Sequence, residues 1–247
     1  MGIIHIVAGM VLLSLNSFAG TVIASGDSNI ATSMTGGNAT FFTNVLGSGT
    51  GVLIQELESV TAASGVNIAN YYNGLPGVTA TQTTATSVTS LAGVNLFITI
   101  LPQAAYSADE ISAMSSFLSG GGTLFFIGES SGYSGGGVAD PIITSTLSAL
   151  GSTMTMSGND GSFYSRNAVV VSNPLTAGVG TFTYGFTSFV SGGTELFDTA
   201  PGVAQGSPFV EVQTVGGTST TPEPVSEVLT LGGLAGLGLL ARRKKKI

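Results

Sequence analysis

Two almost unbroken apolar runs, residues 95–101 (NLFITIL) and 123–127 (TLFFI), constrain this chain more than any other feature. A strand with one wet face alternates polar and apolar residues, so a run without that alternation must be covered on both faces, as in a parallel sheet. Between the runs, Ser107 precedes Ala108-Asp109-Glu110. That is a helix N-cap with acids in the first turn, where the helix dipole favours them. Ile111, Met114, Phe117 and Leu118 then recur at helical spacing as one apolar stripe, and Gly120-Gly121-Gly122 stops the helix. Strand, helix and strand at this spacing make a βαβ unit with a right-handed crossover.

The rest of the chain repeats the alternation. A first strand is expected at 21–24, ending at Ser25-Gly26-Asp27, with further strands at 51–57 and 78–84 and helices at 39–46, 66–72 and 140–150. After Met154 the pattern changes to short strands and turns at 168–171, 181–184, 195–197 and 209–212. Residues 20–215 therefore read as one α/β domain with a mostly parallel central sheet and flanking helices. Residues 216–221 form a polar linker.

Charge is scarce and unevenly placed. Only 8% of the 247 residues are charged, far below the ~25% of ordinary soluble domains, so Gly, Ser, Thr and Asn must make up most of the surface. Hydrophobic residues reach 43%, enough to fill a core. Five of the six basic residues are Arg242, Arg243, Lys244, Lys245 and Lys246. Residues 20–221 keep Arg166 against eleven acids, a formal charge of −10. Such a body has no basic patch to neutralise phosphates, which argues against nucleic-acid binding. No cysteine is present, which excludes disulfides, thiolate catalysis and Cys-ligated metals.

The two ends carry addresses. Residues 3–15 are almost wholly apolar, and Ser17-Phe18-Ala19 follows with small residues at the −3 and −1 positions. That reads as a secretory signal (1–19) cut between Ala19 and Gly20, although Met1-Gly2 carries no positive charge. At the other end Pro222-Glu223-Pro224 leads into an apolar run at 228–241 and then the basic cluster. A helix over that run would rise about 21 Å, short of the ~30 Å hydrocarbon core, a gap that basic side-chain snorkelling and local thinning can close. The cluster should stay cytoplasmic, which puts the body outside.

Pro-Glu-Pro, a short Gly/Leu-rich transmembrane helix and a terminal basic cluster together resemble the PEP-CTERM sorting signal of Gram-negative bacteria, over residues 222–247. The resemblance implies recognition of Pro222, Glu223 and Pro224 by an exosortase, and an association with exopolysaccharide and biofilm matrix. In the body, residues 107–129 and Asn173-Pro174-Leu175-Thr176-Ala177-Gly178-Val179 resemble the flavodoxin-like domain of the class I glutamine-amidotransferase-like superfamily. Active members of that superfamily use a Cys nucleophile and a His base. The body has neither, so only the fold carries over.

Two motifs look catalytic. Gly128-Glu129-Ser130-Ser131-Gly132 follows a buried strand, the place of a nucleophile elbow. Gly26-Asp27-Ser28 resembles the first block of GDSL hydrolases, and Gly158-Asn159-Asp160 their G-x-N-D block one residue short. Either serine needs a base. The single histidine is His5, inside the signal, and the body has no lysine. Paired carboxylates remain, and strand-end Asp27 and Glu129 are the candidates for a ligand pocket at the carboxyl edge of the sheet. The bland readings are a turn or sheet-edge bond for those two, helix capping for Asp109 and Glu110, and a turn for Asn159-Asp160-Gly161. Arg166 can pair with an acid or bind an anion. Without body Cys or His, neither a metal nor a cofactor is expected. The leading expectation is a non-catalytic exported protein of the cell surface or matrix, partnered by an exosortase and by extracellular polysaccharide. The alternative is a carboxylate-based enzyme or sugar-binding module.

Overall fold

The computed structural model describes residues 19–57, 64–133, 135–161, 165–201 and 206–216. The chain divides into two units, Met1–Gly217 and Thr218–Ile247. The expected signal through residue 18, the Pro222-Glu223-Pro224 motif, the helix expected over 228–241 and the basic cluster all lie outside the described residues. Among the described residues no helix is long and apolar enough to cross a membrane.

The first half alternates strands and helices: β1 (Gly20–Ser25), α1 (Gly36–Leu46), β2 (Gly51–Glu56), α2 (Ser64–Asn73), β3 (Thr79–Thr83), β4 (Leu96–Ile100), α3 (Ala108–Ser119), β5 (Thr123–Ile127) and α4 (Gly136–Ala149). The second half is a series of short strands: β6 (Thr155–Ser157), β7 (Arg166–Asn167), β8 (Val169–Val170), β9 (Thr183–Tyr184), β10 (Phe189–Ser191), β11 (Thr194–Asp198) and β12 (Pro208–Val215). The main sheet has the order β3-β2-β4-β5-β1-β12-β11-β8, and β6–β10 and β7–β9 form two small ribbons.

The protein is thus an α/β fold whose large central sheet is mostly parallel. Strands β3, β2, β4, β5 and β1 run parallel, while β12, β11 and β8 add an antiparallel flank. The βαβ unit read from the sequence is present. Every residue of β4 is buried, and α3 opens on a capping box in which Ser107 and Glu110 each bond the other's backbone. Met114 and Leu118 of its stripe are buried, and Ile111 and Phe117 pack against the core from the side.

The two halves are locked by aromatic rings. Phe41 of α1 meets Phe125 of β5, Phe182 and Phe197 of β11 edge-on, at 6.0, 5.4 and 5.0 Å between centroids. Phe182 and Phe197 stack at 3.7 Å. Burying each ring stabilises by roughly 1.5–3 kcal/mol, and each ring pair adds about 0.5–1.5 kcal/mol. This cluster holds the antiparallel flank beside β1, with Gly20 opposite Val215 and Ser25 opposite Val210.

Two boundaries differ from the sequence reading in an informative way. Helix α4 starts at Gly136, four residues before Asp140, and carries Pro141 inside it. Proline at a first helical position is common, so Asp140-Pro141 resembled a helix start. The actual N-cap is Gly135 at φ 85°, a conformation glycine adopts without cost. Strand β12 continues to Val215 because Gln213 and Thr214 find partners across the sheet that composition does not reveal.

Candidate functional site

The parallel pairing of β1 and β5 builds the main polar cluster. Ser25 lies opposite Ile127, so Asp27 and Glu129, each two residues further on, leave the carboxyl edge side by side. One Asn29 amide serves both: its Nδ2 donates to Asp27 Oδ1 at 2.8 Å and to Glu129 Oε2 at 3.3 Å. The sequence-derived pair is therefore brought together.

It is also sealed. Asp27 is 0% and Glu129 1% exposed, with Ser28, Ser130, Thr187 and Ser188 equally buried around them. Asp27 Oδ1 accepts from Asn29 N at 2.7 Å, and Oδ2 from Gly185 N at 2.6 Å. Glu129 Oε1 accepts from Ser130 N at 2.9 Å, while Oε2 accepts from the Ser28 hydroxyl at 2.8 Å and Ser28 N at 3.3 Å. The expected ligand pocket at Asp27 and Glu129 is thus a closed knot: Gly185 N from the loop at Gly185–Ser188 takes one Asp27 oxygen, and Ser28, Asn29 and Ser130, from the turns after β1 and β5, supply the other donors.

Asp140, in α4, completes the knot. Its Oδ2 accepts from the Ser188 hydroxyl at 2.6 Å, and its Oδ1 from Glu129 N at 3.4 Å. Ser188 also donates to the Glu129 carbonyl at 3.2 Å. No sequence signal marks Ser188 as a partner, since it arrives from a loop with no motif.

Burial dominates the electrostatics. It raises Glu129 well above the ordinary carboxyl range, and the Asp27 charge raises it further. Burial likewise raises Asp27, against the lowering hydrogen bonds from Gly185 and Asn29. Asp140 is pushed up to about 6, again chiefly by burial. Ser28 and Glu129 are both closed to solvent, and the Glu129 oxygen that Ser28 reaches also accepts from Ser28 N and Asn29 Nδ2, so the contact has no opening through which a substrate could reach the serine. Ser130, the serine of the G-x-S-x-G, is 0% exposed and spends its hydroxyl accepting from Gly132 N at 3.3 Å. Asp109 and Glu110 sit in the first turn of α3, and Glu110 caps it. Asn159-Asp160-Gly161 is a turn closed by Gly161 N donating to Asn159 Oδ1 at 3.1 Å. Arg166 is in hydrogen-bond contact with Tyr184. Among the described residues no group of three or more ligating side chains could hold a metal ion.

A second polar cluster escaped the sequence reading. It lies between β2 and β4, where the chain leaves in opposite directions, the switch point at which open α/β sheets commonly bind ligands. Gln55 Oε1 accepts from Tyr106 and Thr99 at 3.2 and 3.3 Å. Glu56 Oε2 accepts from Gln82 Nε2 at 2.7 Å, while its buried Oε1 has no hydrogen-bond partner among the described residues. These residues come from four separate segments with no recognisable spacing. Against known proteins, no family model, no curated protein and no solved structure matches the chain.

Proposed function

We propose that this is a non-catalytic exported protein of the cell surface or extracellular matrix, sorted by an exosortase acting at Pro222-Glu223-Pro224 and associated with extracellular polysaccharide. The tail sequence carries the sorting reading, with residues 228–241 as membrane anchor and Arg242 to Lys246 on the cytoplasmic side. The position of the fold within the chain supports it. β1 begins at Gly20, one residue after the Ala19 cut, and β12 ends at Val215, before the linker. Removal of both ends would therefore leave every strand whole.

One observation carries the non-catalytic part: the best acid pair in the body, Asp27 and Glu129, is closed to solvent with every carboxyl oxygen hydrogen-bonded. An enzyme using these carboxyls would need an open approach for substrate. We read the architecture as flavodoxin-like: counted from β2, the order β3-β2-β4-β5 is the 2-1-3-4 of that fold, with β1 added beyond its fourth strand.

Mass spectrometry of both termini of the protein recovered from its host tests the proposal. The expected mature form begins at Gly20 and ends near Pro222. An extracellular form that keeps its Arg-Arg-Lys-Lys-Lys end would refute the sorting reading.

A further inference from the structure

A groove of about 480 Å³ runs between α4 and β6, lined among others by Asp140, Pro141, Thr144, Ser148, Met156 and Ser157. Its volume falls within the range of small-molecule sites. We infer that this groove is a binding site for a neutral saccharide, a ligand with hydroxyls at its edge and an apolar C–H face.

The lining decides the ligand class. Pro141 offers an exposed apolar surface with the mostly buried Met156 at its floor, and Ser148 and Ser157 are exposed hydroxyls beside it. Thr144 Oγ1 accepts from Met156 N at 3.0 Å, which pins β6 to α4 and leaves the Thr144 proton to donate. Pro141 has no N–H, so the carbonyl of Gly137, an exposed residue that also lines the groove, lacks its i+4 helical donor and is open to a ligand hydroxyl in place of water.

Charged ligands fit badly. No Lys or Arg lines the groove, and its one titratable residue is an acid, which repels anions. That acid, Asp140, already has one oxygen on Ser188 and one on Glu129 N, so a cation would have to break the knot beneath. A neutral molecule with hydroxyl donors and an apolar face matches what remains.

The inference deepens the matrix reading and rests on it for the source of the saccharide. Titration calorimetry on the full-length chain in detergent would use glucose, maltotetraose, cellotetraose and, as the charged control, glucuronate. Binding of at least one neutral sugar below about 10 mM is expected, weakened about tenfold or more in Ser148→Trp, which fills the groove from an exposed helix position. Pro141→Ala restores an N–H to the Gly137 carbonyl, so it should keep or raise the melting temperature while weakening binding several-fold. A neutral tetrasaccharide bound in preference to glucose would point to a polymer chain, and glucose bound equally well to a single sugar unit. No binding below about 10 mM, equal binding by Ser148→Trp, or equal binding of glucuronate overturns the site. Binding by a protein whose tail is never cut would leave the site standing and sink the sorting reading, and a cut tail without binding would do the reverse.

Discussion

Ser28 donates its hydroxyl proton to Glu129 Oε2 across 2.8 Å, tying the turn after β1 to the turn after β5 over 101 residues of chain. Both groups are buried, so neither can exchange its partner for water when the other is removed. Ser28→Ala should cost about 1–2 kcal/mol, because Ser28 N and Asn29 Nδ2 still reach the same oxygen. Glu129→Ala should cost more, about 3 kcal/mol or above, since it strands donors from Ser28, Asn29 and Ser130 in a closed space. Urea unfolding of the two variants checks the order. Equal and negligible losses would mean that water reaches the knot.

The knot also sets an unusual pH dependence. Asp140 rises from 3.8 to about 6 on folding, so between those values the folded chain binds more protons than the unfolded one. Stability from this group is fully present below pH 3.8 and is lost as pH rises from there through about 6. Burial raises Glu129 as well, which extends the decline above neutrality. The melting temperature should fall by several degrees from pH 5 to pH 8, on the order of 2 kcal/mol of stability. Thermal denaturation in buffers of constant ionic strength measures it. Glu129→Gln, which cannot ionise, should flatten the upper part of the profile.

Gly26 is where β1 leaves the sheet with no room for a side chain. A Cβ there would lie 2.0 Å from the Ser188 carbonyl oxygen. Backbone bonds from Gly26 N to Phe209 O (2.8 Å) and from Ser188 N to Gly26 O (2.9 Å) hold that approach. Gly26→Ala must push the covering loop off the edge, at about 1–3 kcal/mol or more. Amide hydrogen exchange should show Ser188 losing protection before the β4 amides do.

One edge of the sheet is β3, an uncharged threonine-rich strand, TATQT. Asn73 guards it, donating to the Ala80 carbonyl at 3.0 Å and accepting from Ala80 N at 2.8 Å. Those bonds occupy positions that another strand would use. Asn73→Ala should lower stability by about 1–2 kcal/mol and increase self-association, read by light scattering against protein concentration. A variant that stays monodisperse would show that the edge is protected by something other than Asn73.

Much of the fold was legible because its signals are local. The apolar runs at β4 and β5, the Ser107 cap and the triple glycine act through neighbours within a few residues, and their elements lie within about two residues of where the pattern puts them. Helix α4 was misplaced at its start because Asp140-Pro141 imitates a cap, and only the glycine at φ 85° before it reveals the true beginning. Ribbons β6–β10 and β7–β9 were not anticipated as pairs, since strands of two or three residues have too little periodicity to read.

By itself the sequence determined the alternating α/β plan, the charge-poor body, the absence of a body histidine or cysteine, and the tail on which the sorting proposal rests. Strand-end positions also pointed to Asp27 and Glu129 as neighbours, because parallel strands in register bring their carboxyl ends together. Only the tertiary structure decided what that pair is. A loop more than fifty residues downstream of Glu129 supplies Gly185 and Ser188, and α4 supplies Asp140, turning an open edge into a buried knot. Whether a carboxyl faces water or a backbone amide depends on which distant segment covers it. Pairing of that kind leaves no local pattern, because hydrogen bonds between distant segments impose no spacing along the chain.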